Sequence, residues 1–134
     1  MQNSVVQQSS KCRPYWILVT AGVLFAVATL LGALEAHVLP SRLSPGALDI
    51  FATGVRYHFY NTLGLLAIGL TACIVESRLL RWSAVLVIIG IVLFSGSIYW
   101  LAFGAPTIIG FATPLGGLSL IIAWILYAVG VMRR

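Results

Sequence analysis

Residues 15–34 read YWILVTAGVLFAVATLLGAL, twenty residues from Tyr15 to Leu34 without a charge. At about 1.5 Å per residue such a run spans the roughly 30 Å of bilayer hydrocarbon as an α-helix. A cleaved signal peptide does not fit, because its apolar core is only about 7–15 residues long. Tyr15 and Trp16 suit the membrane–water boundary at the near end. The stretch predicts a first membrane-spanning helix over 15–34, with Pro14 opening it at the first helical position.

Outward from this run the pattern repeats. Residues 35–57 are the most polar stretch beyond the N-terminal tail. Ser44-Pro45 reads as an N-cap and first helical residue. Leu48, Phe51, Val55 and Phe59 then recur on one face, and Asp49, Thr53, Arg56 and Tyr60 on another. That double periodicity predicts an amphipathic start to a helix over 45–75. At about 46 Å it is longer than the hydrocarbon is thick, so its first turns must project, lie flat or bend, with Gly54 a candidate bend. Glu76, Ser77, Arg78 and Arg81 read as a polar turn. A third span is expected over 82–103, anchored by Trp82, and a fourth over 114–132, capped by Thr113 with Pro114 at its first position.

The expected fold is therefore all-α: an integral membrane four-helix bundle over 14–134, preceded by a polar tail over 1–13. Lys11, Arg13, Arg78, Arg81, Arg133 and Arg134 fall on one side of the bilayer, Arg42 and Arg56 on the other. The basic side is normally cytoplasmic, which puts both termini there.

Composition agrees. The chain has 134 residues, 60% hydrophobic and only 8% charged, where a soluble domain carries about a quarter charged. The net charge of +5 would suit nucleic acid, but the basic residues lie in pairs between apolar segments, so no nucleic-acid partner is expected. Cys12 and Cys73 are too few and too far apart for a disulfide framework or zinc knuckle, and read as free thiols in a reducing compartment. No GxSxG, phosphate loop, dinucleotide fingerprint or HExxH pair is present, so neither an enzyme nor a cofactor is expected.

Lipid tails give no hydrophobic drive between helices, so close packing relies on small residues. The candidates are Gly22 and Ala26, Ala28 and Gly32, Ser95-Gly96-Ser97, and Gly116-Gly117. The residues able to carry chemistry are Glu35, His37, Asp49, Arg56, Tyr57, His58, Tyr60 and Asn61. Arg56 and His58 lie at or just inside the membrane boundary, where an ionisable group is costly and suggests function. The plainer reading is a structural clamp in which Arg56 pairs with Glu35 or Asp49. His37, His58 and Glu35 have a metal's donor types, but their spacing is not diagnostic and no metal is expected.

Several motifs resemble those of the YgdD/YwdK-like family of small bacterial membrane proteins of unknown function. They are Gly32-Ala33-Leu34-Glu35-Ala36-His37, Leu43-Ser44-Pro45, Thr53-Gly54-Val55-Arg56-Tyr57 with Phe59-Tyr60, Ser95-Gly96-Ser97-Ile98-Tyr99, and Thr113-Pro114-Leu115-Gly116-Gly117. Glu35 stands where that pattern leads one to expect glycine, Asn61 where it leads one to expect histidine, and His58 where glutamine is frequent. The resemblance implies a four-helix protein of the bacterial inner membrane and no established reaction. Small size and small-residue faces suggest an accessory or structural subunit of a larger membrane complex; a small-solute or proton-coupled transporter acting as a homo-oligomer is the alternative.

Overall fold

The computed structural model describes residues 14–133. Among them, four helices are long and apolar enough to cross a bilayer. They are α1 (Tyr15–His37), α2 (Pro45–Ile74), α3 (Arg78–Ala102) and α4 (Ala112–Met132), with short 3-10 turns at Leu39–Ser41 and Thr107–Phe111. The polar tail expected over 1–13 lies outside the described residues.

The helix ends depart from the sequence reading in instructive ways. Pro14 is the N-cap of α1 rather than its first residue. The helix runs on past Leu34, so Glu35 and His37 occupy its last turn. Ser44 caps α2 as its sequence suggests, its hydroxyl accepting from the Ala47 N–H at 3.3 Å. α2 then continues unbroken to Ile74. Gly54 marks a close approach, since a Cβ there would meet the Tyr99 ring at 2.7 Å. α3 starts at Arg78, four residues before Trp82, because the Ser77 hydroxyl accepts from the Leu79 N–H at 3.2 Å and caps the helix. Thr113 does not cap α4: the 3-10 turn leads straight into the helix, and Pro114 falls in the first turn, where its missing N–H costs nothing. The Thr113 hydroxyl instead meets that of Ser97 in α3 at 2.6 Å.

Successive helices run antiparallel and pack in chain order, α1 on α2, α2 on α3 and α3 on α4. Glycines set the approach. Gly69 of α2 lies against Ile17 and Leu18 of α1, Gly90 of α3 against Leu120 of α4, and Gly116 of α4 against the Phe94 backbone of α3. Ile17, Ala21, Leu65, Ile68, Leu80, Val87 and Ala123 fill the core between them. Two hydroxyls stitch α3 to α4: Ser83 donates to the Ala123 carbonyl at 2.7 Å, and Ser119 to the Leu86 carbonyl at 2.8 Å. The outer faces stay apolar, with Val23, Leu30, Leu63, Leu70, Ile121 and Ile125 all exposed, as lipid contact requires.

Cys73, in the last turn of α2, is disulfide-bonded, which corrects the expectation of a free thiol there; Cys12 lies outside the described residues. The antiparallel return of α2 brings its end beside the first turn of α1, where Ile17 and Leu18 pack on Gly69.

Candidate functional site

The polar residues singled out in the sequence separate into an outer group and an inner one. In the outer group Glu35 is half-buried, while His37, Asp49, Arg56, Tyr57 and Tyr60 are exposed. Glu35 and Asp49 line an open cleft of about 310 Å³ with Pro45, Leu48 and Ala52. Among the described residues, no ion pair joins Arg56 to either carboxylate. Asp49 and Arg56 are seven positions apart on one helix, about 10 Å along its axis, which is too far for a pair. The Tyr57 ring packs on Phe94 of α3 at 5.0 Å and edge-on to Tyr60 at 6.3 Å. Asn61 is buried and spends an amide N–H on its own helix, donating to the Tyr57 carbonyl at 2.8 Å.

The inner group centres on His58, which is only 4% exposed. Its Nδ1 lies 3.1 Å from the hydroxyl of Tyr99 on α3, and the tautomer decides which of the two donates. Gly54, one turn before His58, leaves the space that the Tyr99 ring crosses. Glu35 of α1 lies within electrostatic range of the Tyr99 hydroxyl. The Leu24 carbonyl of α1 lies beside the imidazole as a hydrogen-bond acceptor, but short of the geometry that would complete a bond to Nε2. The buried hydroxyls of Thr62 and Ser95 also lack partners. An imidazole with one engaged nitrogen can accept and release a proton. Among the described residues, no three His, Cys, Asp or Glu side chains converge as a metal site would need.

Neither Tyr99 nor Thr62 stood out in the sequence as chemistry. Tyr99 closes the Ser-Gly-Ser-Ile-Tyr motif, and that was the available signal. Of the small residues, Ala28, Ser95 and Gly116 are buried, and Gly32 is half-buried with a Cβ position 3.6 Å from Val55. Ser97 bonds Thr113, and a Cβ on Gly117 would sit 3.8 Å from the Phe94 ring. Gly22 and Ala26 face outward, and nothing lies within 4 Å of a Cβ placed on Gly22 or Gly96.

The chain resembles known proteins across most of its length. The family model described as protein of unknown function (DUF423) matches residues 31–117, from the last turns of α1 to the first turns of α4. A UPF0382 membrane protein of Haemophilus influenzae is 41% identical over 89% of this chain and 94% of its own length. The UPF0382 membrane protein YwdK of Bacillus subtilis is 38% identical over 87% of this chain and 94% of its own length. The UPF0382 inner membrane protein YgdD of Escherichia coli strain K12 is 34% identical over 88% and 90% respectively. No solved structure matches the chain.

Proposed function

The chain belongs to the DUF423 family of membrane proteins, whose function is unknown, and from that premise we propose that it is a non-catalytic subunit of a larger assembly in the bacterial inner membrane. The observation that carries this reading is the outer face of α1. That helix packs on α2 and leaves Val19, Gly22, Val23, Ala26, Val27 and Leu30 exposed. Gly22 and Ala26, four apart, form the small-residue pair that lets a neighbouring membrane helix approach closely. Both termini lie in the cytoplasm on this reading, following the six-to-two division of Lys and Arg.

The test is isolation of tagged protein from native membranes in mild detergent, without crosslinker. A stoichiometric complex with a larger membrane protein is expected, and Gly22→Leu with Ala26→Leu should release it while leaving the four-helix protein in the membrane. Recovery of the chain alone would overturn the reading, and a small homo-oligomer would redirect it.

The His58–Tyr99 pair favours a second reading, a small proton-coupled carrier. Buried ionisable groups in spans mark proton and substrate paths in many transporters. In proteoliposomes, Glu35→Gln or Tyr99→Phe should then abolish flux without loss of the folded bundle, whereas unchanged flux in both variants rules the carrier out.

A further inference from the structure

Serine and threonine hydroxyls within membrane helices ordinarily bond back to a carbonyl one turn earlier. Thr29, Thr53 and Thr71 do so here, donating to the carbonyls of Phe25, Asp49 and Ala67 at 2.8–3.0 Å. Thr62 and Ser95 do not, although they sit within the same kinds of helix. Thr62 is 0% exposed and Ser95 1% exposed.

Their placement is not scattered. Tyr57 packs on Phe94 and Gly54 on Tyr99, so the antiparallel register brings Ser95 level with His58. Thr62 follows His58 by one turn on the same face of α2. On α1 the contacts of Phe25 with Phe59 and of Leu18 with Gly69 put the buried Ala28 level with His58 and Leu24 level with Thr62. The buried Ala28 and Ser95 are thus level with the imidazole, and Thr62 lies one turn further along α2. Two buried hydroxyls without partners, beside an imidazole nitrogen that completes no bond to the Leu24 carbonyl, are an arrangement that water stabilises by bridging such groups.

We propose that His58, Thr62 and Ser95 form an internal hydrated site, one or a few water molecules in size, and that His58 takes up and returns a proton there from the Glu35 end of the bundle by way of Tyr99. In the transfer, hydronium at the Glu35 end gives a proton to the Tyr99 oxygen and becomes water as the Tyr99 hydroxyl proton passes to His58 Nδ1. Tyr99 stays neutral, His58 becomes imidazolium, and reversal restores both. The titratable groups facing the imidazole are Tyr99 from α3 and, beyond it, Glu35 from α1. Arg56 and Tyr57 on α2 itself are exposed, and on α4 Tyr127 is engaged far away with Thr71 at 3.2 Å. The proposal requires neither a partner protein nor net transport, so it stands apart from both readings above.

The chain has two histidines, His37 and His58, which makes the test direct. The full chain is labelled with nitrogen-15 histidine, placed in phosphatidylethanolamine–phosphatidylglycerol bilayers, and studied by water-edited solid-state NMR, with His37→Gln giving the assignment. Both histidines should receive magnetisation from water, the exposed His37 acting as the positive control. Acidification should convert the His58 signal to imidazolium. The Thr62→Val/Ser95→Ala variant should lose the water-transferred signal of His58 alone, and Tyr99→Phe should slow its proton exchange. A dry His58 in the unaltered chain, or one that stays neutral throughout, overturns the proposal whether or not the variants fold. A water signal undiminished in the double variant overturns the assignment of the two hydroxyls, and unaltered exchange in Tyr99→Phe overturns the route.

Discussion

The Phe94 backbone of α3 lies against Gly116 of α4, its Cα 2.9 Å from the point where a Gly116 side chain would begin. A side chain there has nothing flexible to displace, so Gly116→Ala must drive the two helices apart. A loss of about 1–3 kcal/mol is expected, the usual range for overpacking. Gly117→Ala, whose Cβ would meet the Phe94 ring at an ordinary 3.8 Å, should be neutral or slightly stabilising. Unfolding in mixed micelles titrated with denaturing detergent measures both, and equal effects would show that the close approach does not govern the α3–α4 contact.

The His58–Tyr99 hydrogen bond supports a second test. Tyr99→Phe keeps the ring over Gly54 but leaves the buried Nδ1 without its partner, at a cost of about 1–3 kcal/mol. Adding His58→Leu removes the stranded group, so the double variant should be more stable than the sum of the single losses. Strict additivity would mean that the two residues do not interact.

Ser83 and Ser119 donate across the same interface to carbonyls on opposite helices. Each alanine substitution should cost about 0.6 kcal/mol, the average for interhelical hydrogen bonds in a membrane protein. The two losses should add, because the bonds share no atoms or partners. A cost of several kcal/mol for either would point to a further role for that hydroxyl.

Orientation is open to direct measurement. Reporter domains fused after Met132 should report the cytoplasm, and a reporter inserted between Ser41 and Arg42, in the connection between α1 and α2, should report the opposite side. Replacing Arg78 and Arg81 by glutamine weakens the basic bias and should yield a mixed topology.

The spans were legible because an uncharged run of membrane-crossing length has few other uses. The Ser44 cap was legible because Ser-Pro before a periodic segment has a specific geometry. The start of α3 was missed because Ser77 and the two arginines read as a turn, although the same serine chemistry caps a helix there. Thr113 misled for the opposite reason: its sequence context suits a cap, yet a 3-10 turn already supplies the first turn and frees the hydroxyl for Ser97. The candidate site was half legible. His58 could be picked from the sequence as an ionisable group in a span, but its partner is forty-one positions away on another helix, and only packing reveals that Gly54 admits the Tyr99 ring. The Arg56–Asp49 pairing fails on helical rise, and among the described residues no ion pair joins Arg56 to Glu35 on α1, a matter of packing that residue identity does not carry.

The way α1 packs chiefly on α2 has a bearing on biosynthesis. α1 is the most apolar of the four spans and α2 the least. Of the four helices α1 emerges first from the ribosome and enters the bilayer ahead of α2, and its uncharged run suffices for that. α2, burdened with Asp49, Arg56 and His58, arrives when a helical surface is already waiting in the lipid to receive Val55, Phe59 and Gly69. Chain order is thus an order of membrane entry, in which the span least able to insert unaided follows the one most able to.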